Sequence, residues 1–583
     1  MRNALEALPL QFRVLFRQFL LRVIDLESLS AQADVPRFLG QFASILVLIS
    51  LVGALGLLMS GGSPLARSED YIAFVWRGEQ ALISGTMLVV GLVTVISWDA
   101  TFPDRRDVMV LCPLPLLPRT ILFAKLAASA ALIGLAILTL NFATGIAWPL
   151  YIGAHHESAW GFFQSFAAYW FTLIVSGAFL FCSVLSVQGF AALLLPRRIF
   201  LGFSAFLQIA AFGLVLGVYF LQPTITSVAA MTAPDNGWVL ACSPSFWFFA
   251  LFNELNGSLP SPLDWLAARA WAGLFLVVSG AISSMFLCYF RTMKKTVEEP
   301  DLIPGARGWH WSPQFGDSLQ TAIVLFSMRS LVRSREHRLA SGFYLAVICS
   351  IALSWVHTEF SSAGPIPLSA EFMTSTVVMI SFAVFGLRSV FSLPISLSAN
   401  WMLRTTQVRP SEEYVAAVRR TLLVLAVVPA WLISALLSLS FRPFQQVAGH
   451  LLLLALLGWI FVELSLIGFY KVPFTCSYLP GKLHVQVVFW CFLLLLVIFG
   501  MVTAEYEMPA LSDPVRTVIA LMVLAATGLS LWIYNRHRAK SAVLYFEELS
   551  PQEIISLGLV WLTPSTANNG TTSAAGKLPP RKV

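Results

Sequence analysis

The chain has 583 residues, of which 57% are hydrophobic and only 11% are charged. Soluble proteins carry about 25% charged residues, so this composition excludes an ordinary soluble enzyme and a string of soluble domains. A net charge of +7 would suggest nucleic acid in a soluble protein. In a membrane protein it follows from the preference of Lys and Arg for cytoplasmic loops, so we expect no nucleic-acid partner.

Twelve apolar runs are long enough to cross a bilayer, which takes about 20 helical residues. They predict an all-α, polytopic membrane protein with both termini on the same side. The predicted spans are 41–60, 81–98, 121–149, 167–194, 199–221, 268–290, 342–357, 372–392, 421–440, 447–469, 485–503 and 515–533.

Positive charge orients these spans. With the N-terminus inside, 32 of the 37 Lys and Arg residues fall on the inner side. This bias predicts cytoplasmic N- and C-termini in a bacterial inner (cytoplasmic) membrane, with the lipid bilayer as the chain's surroundings.

The first predicted element precedes the first span. Residues 10–27 mix apolar side chains with arginines, and Arg13 and Arg17 lie on one helical face. An uninterrupted apolar core and a cleavage site are missing, so a secretory signal peptide is not predicted. The stretch instead predicts a helix lying in the cytoplasmic interface.

A charged loop, 99–125, follows the second span. It contains a Leu114-Pro115 step. Its mixed charge has two interpretations. The loop is either a solvated anchor at the membrane surface or a docking surface whose charges align a soluble partner. The charged residues in question are Asp104, Arg105, Arg106, Asp107, Arg119 and Lys125.

The outer segment 222–267 is the longest on its side, and its aromatic part, 243–257, predicts a helix at or re-entering the outer interface. The polar segment 291–320 then divides the chain. The predicted organisation is a six-helix unit over 1–290, a linker over 291–320, a second six-helix unit over 321–540 and a tail over 541–583 that ends in disorder.

The second unit repeats the order of the first. It opens with a basic amphipathic stretch in which Arg329 and Arg333 share a face with Glu336 and His337. After its second span comes another Leu-Pro step, without a clear acidic start, and a basic loop. Two parallel six-helix repeats are typical of transporters. The candidate docking residues of this second loop are Arg404, Arg419 and Arg420.

Acidic residues within the predicted spans are Asp99, at an inner end, and Glu463. An intramembrane carboxylate has three interpretations here: an interhelical partner of a loop cation, a proton- or ion-coupling group, or a substrate contact. His450 is expected at the outer interface, and Glu507 is expected in an exposed outer loop.

The chain lacks the motifs of an enzyme. It has no GxxxxGK[ST] loop to bind ATP phosphates, no HExxH, no GxSxG and no clustered Cys and His. We therefore expect no catalytic residues, metal site or cofactor in this chain.

These features resemble the permease subunits of type-two ABC exporters, in which an interfacial helix and a charged, Leu-Pro-containing loop contact an ATP-binding subunit. The resemblance implies that residues 10–27 and 99–125, with the second loop, dock such a subunit, which holds ATP and Mg. It also implies that 243–257 is the extracellular helix. Those permeases have six spans and dimerise, whereas this chain would be a complete fused permease.

Two rival functions remain open. An ion-gradient-driven secondary transporter would need several coupled intramembrane carboxylates, of which the sequence offers mainly Glu463. A membrane-embedded transferase would need a polar catalytic cluster at one membrane face, and the sequence shows none.

Overall fold

The computed structural model describes most of the chain and is helical almost throughout. The strands in the described part are two-residue segments, Ile366–Pro367 and Phe441–Arg442, which pair in parallel. The described residues are 2–24, 35–60, 69–101, 105–111, 113–153, 159–221, 231, 233, 236–258, 263–298, 313–361, 366–395, 400–405, 409–438, 441–442, 444–476 and 485–546.

The first six-helix unit contains twelve described helices, six of them long enough to span a membrane. They are α1 (Arg2–Ile24), α2 (Val35–Ser60), α3 (Glu69–Ile96), α4 (Trp98–Thr101), α5 (Arg105–Leu111), α6 (Pro118–Leu140), α7 (Thr144–Gly153), α8 (Ala159–Leu194), α9 (Arg197–Leu221), α10 (Gly237–Cys242), α11 (Pro244–Asn256) and α12 (Asp264–Glu298).

The second six-helix unit continues the numbering. Its described helices are α13 (Ser318–Arg333), α14 (Arg335–Ser361), α15 (Ala370–Val390), α16 (Asn400–Thr405), α17 (Ser411–Leu422), α18 (Val428–Leu437), α19 (Phe444–Leu466), α20 (Val485–Ser512) and α21 (Pro514–Ser541).

Twelve helices in the described residues are long and apolar enough to cross a membrane, which confirms the predicted fold class. The spanning stretches are Gly40–Leu57, Phe74–Ile96, Pro118–Leu140, Trp160–Leu194, Phe203–Leu221, Asp264–Tyr289, Arg335–Ser354, Ala370–Val390, Ser411–Leu437, Phe444–Leu466, Leu495–Ser512 and Pro514–Ser541.

Four corresponding helix pairs pack in the same way in both units. In the first unit α1 packs on α6, α3 packs on α8 and α9, and α8 packs on α12. In the second unit α13 packs on α17, α15 packs on α19 and α20, and α19 packs on α21. The similarity inferred from loop order is therefore also a similarity of three-dimensional packing.

The two units meet along one helix pair, α9 against α14, in the described part of the chain. The rings of Phe212 and Phe343 lie 4.4 Å apart between centroids. Gly342 has no side chain, which makes room for Ile209 of the facing helix. Among the described residues, the equivalent helices on the other side, α20 and α2, form no comparable contact.

The third span is broken where one long run was predicted. Helix α6 ends at Leu140, and α7 begins at Thr144. Asn141 closes α6, and its side-chain amide donates to the carbonyl of Ile137 at 3.0 Å. Asparagine competes for backbone hydrogen bonds in this way, and it places polar groups inside the bundle at the break.

The ninth span is also irregular, because Leu423–Val427 forms a π-helical turn between α17 and α18. Pro429 lies two residues after this turn. A proline ring clashes with the carbonyl four residues earlier and supplies no N–H, so the helix widens locally to accommodate it.

Two further helix boundaries differ from those inferred above. Ser334 has extended backbone angles and separates α13 from α14, so the face proposed to join Arg333 to His337 is interrupted. Helix α12 continues past residue 290 to Glu298. The linker residues 299–312 and the tail from residue 547 lie outside the described residues.

Candidate functional site

The N-terminal helix α1 lies across the start of α6. Leu15 and Phe19 are buried and pack against Ile121, Ala124 and Ala128 of α6. This apolar contact leaves the opposite face of α1 uncovered. We call this side of the bundle the α1 end, and the side that carries α11 the α11 end.

The arginines of α1 occupy that uncovered face. Arg13 and Arg17 are exposed, as are Leu10 and Val14 between and beside them. The face is thus both cationic and apolar, which suits a surface that meets either lipid headgroups or a protein partner.

The charged loop of the first unit contains a buried ion pair. The Lys125 ammonium donates to Asp107 Oδ2 at 2.6 Å, and the two side chains are only 3% and 9% exposed. The same ammonium lies 5.2 Å from the centre of the Phe19 ring. Lys125 therefore ties α5 and α1 to α6, and these two predicted docking residues are occupied within the protein.

Of the other predicted docking residues of this loop, one has a described side chain. Arg119 is exposed at the start of α6. Arg105 and Arg106 begin α5, but their side chains lie outside the described residues, as does Asp104 altogether.

The second unit presents an equivalent arrangement at the α1 end. Helix α13 packs on α17 through its buried face, which includes Ile323 and Val324. Arg333 is exposed and Arg329 is half-buried. Arg420 is exposed on α17, whereas the side chain of Arg404 in α16 lies outside the described residues.

Glu463 is fully buried and lies at the centre of a hydrogen-bonded cluster. Arg419 donates to both of its carboxylate oxygens, at 2.6 and 3.2 Å. The side-chain amide of Asn535 donates to the Glu463 backbone carbonyl at 2.8 Å and to Oε2 at 2.9 Å. The cluster therefore joins α17, α19 and α21.

This arrangement matches one of the three interpretations of Glu463, the interhelical partner of a loop cation. Two charge-assisted hydrogen bonds and an amide satisfy the carboxylate, as a buried charge requires. Arg419, which was predicted to contact a partner, is directed inward, and its side chain is 15% exposed.

A second buried cluster lies at the α11 end, where the sequence predicted only interfacial groups. His450 is fully buried, and its Nδ1 lies 2.7 Å from Glu507 Oε1. Its Nε2 lies 3.0 Å from the Thr376 hydroxyl. The prediction of an exposed Glu507 is wrong, because α20 extends to Ser512 and Glu507 is only 5% exposed. Glu505 is exposed, as predicted.

Sequence reasoning also missed Glu79. The second span was predicted to begin at residue 81, but α3 begins at Glu69 and buries Glu79 to 3% exposure. Its Oε2 accepts a hydrogen bond from the Asn253 amide at 3.0 Å. The sequence does indicate that the helix begins earlier: the apolar stripe through Ile83 and Met87, which is buried, extends back to Trp76 at helical spacing.

The outer aromatic element contributes Asn253 and is itself buried. Helix α11 packs on α3, α8 and α12, and nine of its residues are buried, among them Phe248 and Phe249. The helix predicted over 243–257 is thus present as Pro244–Asn256, and it lies within the bundle. Its C-terminal Gly257 has a φ of 74°, a left-handed conformation that glycine adopts readily.

Metal chemistry finds no support in the described part of the chain, where no group of three or more His, Cys, Asp and Glu residues could hold an ion. The outer residues 155–157, His-His-Glu, are outside the described ranges.

Comparisons with other proteins add no template for this geometry. No family model, curated protein or solved structure matches the chain. Functional inference therefore depends on the chain's own residues and packing.

Proposed function

We propose that this chain is the membrane permease of an ATP-driven exporter of the type-two ABC class, and that it supplies both six-helix halves in one polypeptide. Separate subunits would hold ATP and Mg, because the sequence contains no phosphate-binding loop. The transported substrate would cross between the two units as the ATP-binding subunits close and open.

One observation carries the proposal: the pairing of α1 with α6 and of α13 with α17. Each unit places a basic amphipathic helix across the start of its third span, at the same end of the bundle. A two-lobed ATPase needs two equivalent docking sites, and the repeat supplies them. The bias of Lys and Arg to this end supports its assignment to the cytoplasm.

The buried ion pairs indicate which of the predicted docking residues would not contact the partner. Asp107, Lys125 and Arg419 each form an ion pair within the bundle, so they hold the loops in position. Contact with the partner would fall to exposed cations. In the described residues these include Arg13, Arg17, Arg119, Arg333 and Arg420.

The experiment combines purification with charge reversal. The full chain is isolated from its native membrane, and co-purifying proteins are identified by mass spectrometry. We expect a protein with a GxxxxGK[ST] motif and an ATPase activity that purifies with the complex. The variant Arg13→Glu/Arg17→Glu should lose both, whereas Arg516→Glu, an exposed arginine at the α11 end, should retain both.

Absence of any ATP-binding partner, or an equal effect of the two variants, would contradict the proposal. The second candidate function, a secondary transporter driven by an ion gradient, is favoured by the burial of Glu79 and Glu507 within membrane spans. It would be supported by transport in vesicles that continues without ATP and stops when the proton gradient is dissipated.

A further inference from the structure

Glu79 borders a small cavity inside the first six-helix unit, near the α11 end. Trp148, Tyr169, Thr172 and Phe252 also line it. The cavity has room for about one water molecule. Its walls are mainly aromatic, so the carboxyl group of Glu79 is its most polar boundary.

The hydroxyl of Thr172 is the second polar feature of this cavity. Thr172 is fully buried, and its Oγ1 has no hydrogen-bond partner in the described structure. Buried hydroxyls are rarely left unpaired. A water molecule in the cavity, bonded to Glu79 and to Thr172, would satisfy this group.

Glu79 has no cationic partner in the described part of the chain. Asn253 donates to one carboxylate oxygen, and the indole ring of Trp148 lines the same cavity. Both groups are neutral, in contrast to the Arg419 that pairs with Glu463. The titratable or charged side chains at this level on α3 and on the helices around it are Arg77, Tyr151, Tyr169, Tyr219 and Glu254.

None of those groups compensates a negative charge on Glu79. Arg77 and Glu254 are exposed, Tyr151 and Tyr219 are half-buried, and only Tyr169 reaches the cavity. The Tyr169 hydroxyl already donates to Asn141 at 2.9 Å. A buried carboxylate with neutral partners is stabilised most directly by taking up a proton.

A short hydrogen-bonded connection links the site to the surface. The exposed Ser258 donates to Asn253 Oδ1 at 2.8 Å, and the Asn253 amide donates to Glu79. One residue therefore separates the carboxyl group from a solvent-exposed hydroxyl. On the far side of the cavity, Tyr169, Asn141 and Thr86 continue the network by hydrogen bonds of 2.9 and 3.1 Å.

From this geometry we propose that Glu79 is an exchangeable proton-binding site, with a water molecule in the adjoining cavity as its immediate proton donor and acceptor. The cavity water, as hydronium, transfers one proton to the Glu79 carboxylate, which becomes a neutral carboxyl group, and a neutral water molecule remains. In the reverse step the carboxyl group returns the proton to this water. The ligand of the site is a proton, and the proposal is independent of whether ATP drives transport.

Infrared spectroscopy of the full chain in lipid vesicles tests this directly. The C=O stretching band of a protonated carboxylic acid is followed between about pH 5 and about pH 10, the range in which buried glutamates are known to titrate. We expect a band that disappears reversibly as the pH rises. Glu79→Gln should remove it, since the amide keeps the size of the side chain and cannot titrate.

Glu505→Gln is the matched control, because Glu505 is an exposed glutamate at the same end of the bundle. It should leave the band unchanged. A band that persists in Glu79→Gln, that is absent from the wild type, or that does not respond to pH would overturn the proposal.

A second variant tests the proposal independently, in case Glu79→Gln does not fold. Thr172→Val removes the cavity hydroxyl while keeping a side chain of similar shape. The hydroxyl and its water can donate hydrogen bonds to the charged carboxylate, so their loss should move the titration midpoint to higher pH. An unchanged midpoint would contradict the role of the water-filled cavity.

Discussion

Replacement of Arg419 by alanine is the most severe test of the cluster formed by Arg419, Glu463 and Asn535. It removes both charged hydrogen bonds to Glu463, whose side chain is fully buried, and leaves only the Asn535 amide. Breaking a buried ion pair from one side costs about 3–5 kcal/mol, because the remaining charge is uncompensated. We expect Arg419→Ala to lower the free energy of unfolding by this amount.

The reverse change should be milder. In Glu463→Gln the remaining arginine is 15% exposed and can turn toward water, and the new amide can still accept from Asn535. Loss of hydrogen bonds without a buried unpaired charge costs about 1–3 kcal/mol. The double variant Arg419→Ala/Glu463→Gln should therefore be more stable than Arg419→Ala alone.

Unfolding of the purified protein in a mild detergent, followed by tryptophan fluorescence, measures these differences. Arg409→Ala is the control, because its pair with Glu413 is about half exposed and should contribute less than about 1 kcal/mol. If Arg419→Ala unfolds no more easily than Arg409→Ala, or if the double variant is less stable than Arg419→Ala alone, the assignment of a buried ion pair is refuted.

Three further predictions concern packing and backbone geometry. Lys125→Met should destabilise the protein by about 3–5 kcal/mol, and adding Asp107→Asn should restore most of the loss, as measured by unfolding. Gly189→Ala should lower the free energy of unfolding by about 1–3 kcal/mol, because the added Cβ would meet a side chain of α12 at 2.7 Å. Gly134→Ala places its Cβ in open space and should raise the free energy of unfolding by about 0.5–1 kcal/mol. Equal effects of the two substitutions would contradict this reasoning. Pro429→Ala should let the π-helical turn close as regular helix, seen as slower amide hydrogen exchange over 423–427, and unchanged exchange would show that another feature causes the turn.

Most of the architecture was accessible from the sequence, because membrane helices are specified by hydrophobicity and length. Each of the twelve predicted spans overlaps one of the spanning helices, although five of them run past a helix end or across an irregular turn. Irregularities were harder to foresee. Asn141 lies within an apolar run, and its ability to end α6 depends on Thr86 of α3, which accepts a hydrogen bond from its amide, and on Tyr169 of α8, which donates one to its carbonyl oxygen.

The functional groups were predictable only where their partners were nearby or implied by charge. Glu463 stood out because it interrupts an apolar run, but Asn535, 72 residues away, gave no signal. Glu79 and Asn253 are 174 residues apart, and His450 and Glu507 are 57 apart. Hydropathy shows that a residue enters the membrane, but it does not show which helix its side chain faces.

The single contact between α9 and α14 has a mechanical consequence. Close packing, such as Ile209 over Gly342, resists sliding of one helix along the other. In the described residues, α2 and α20 form no comparable contact on the opposite side of the bundle. Rotation of one unit relative to the other is therefore least restricted about the α9–α14 axis. Force applied to either six-helix unit at the α1 end would therefore rotate the two units relative to each other about the α9–α14 contact.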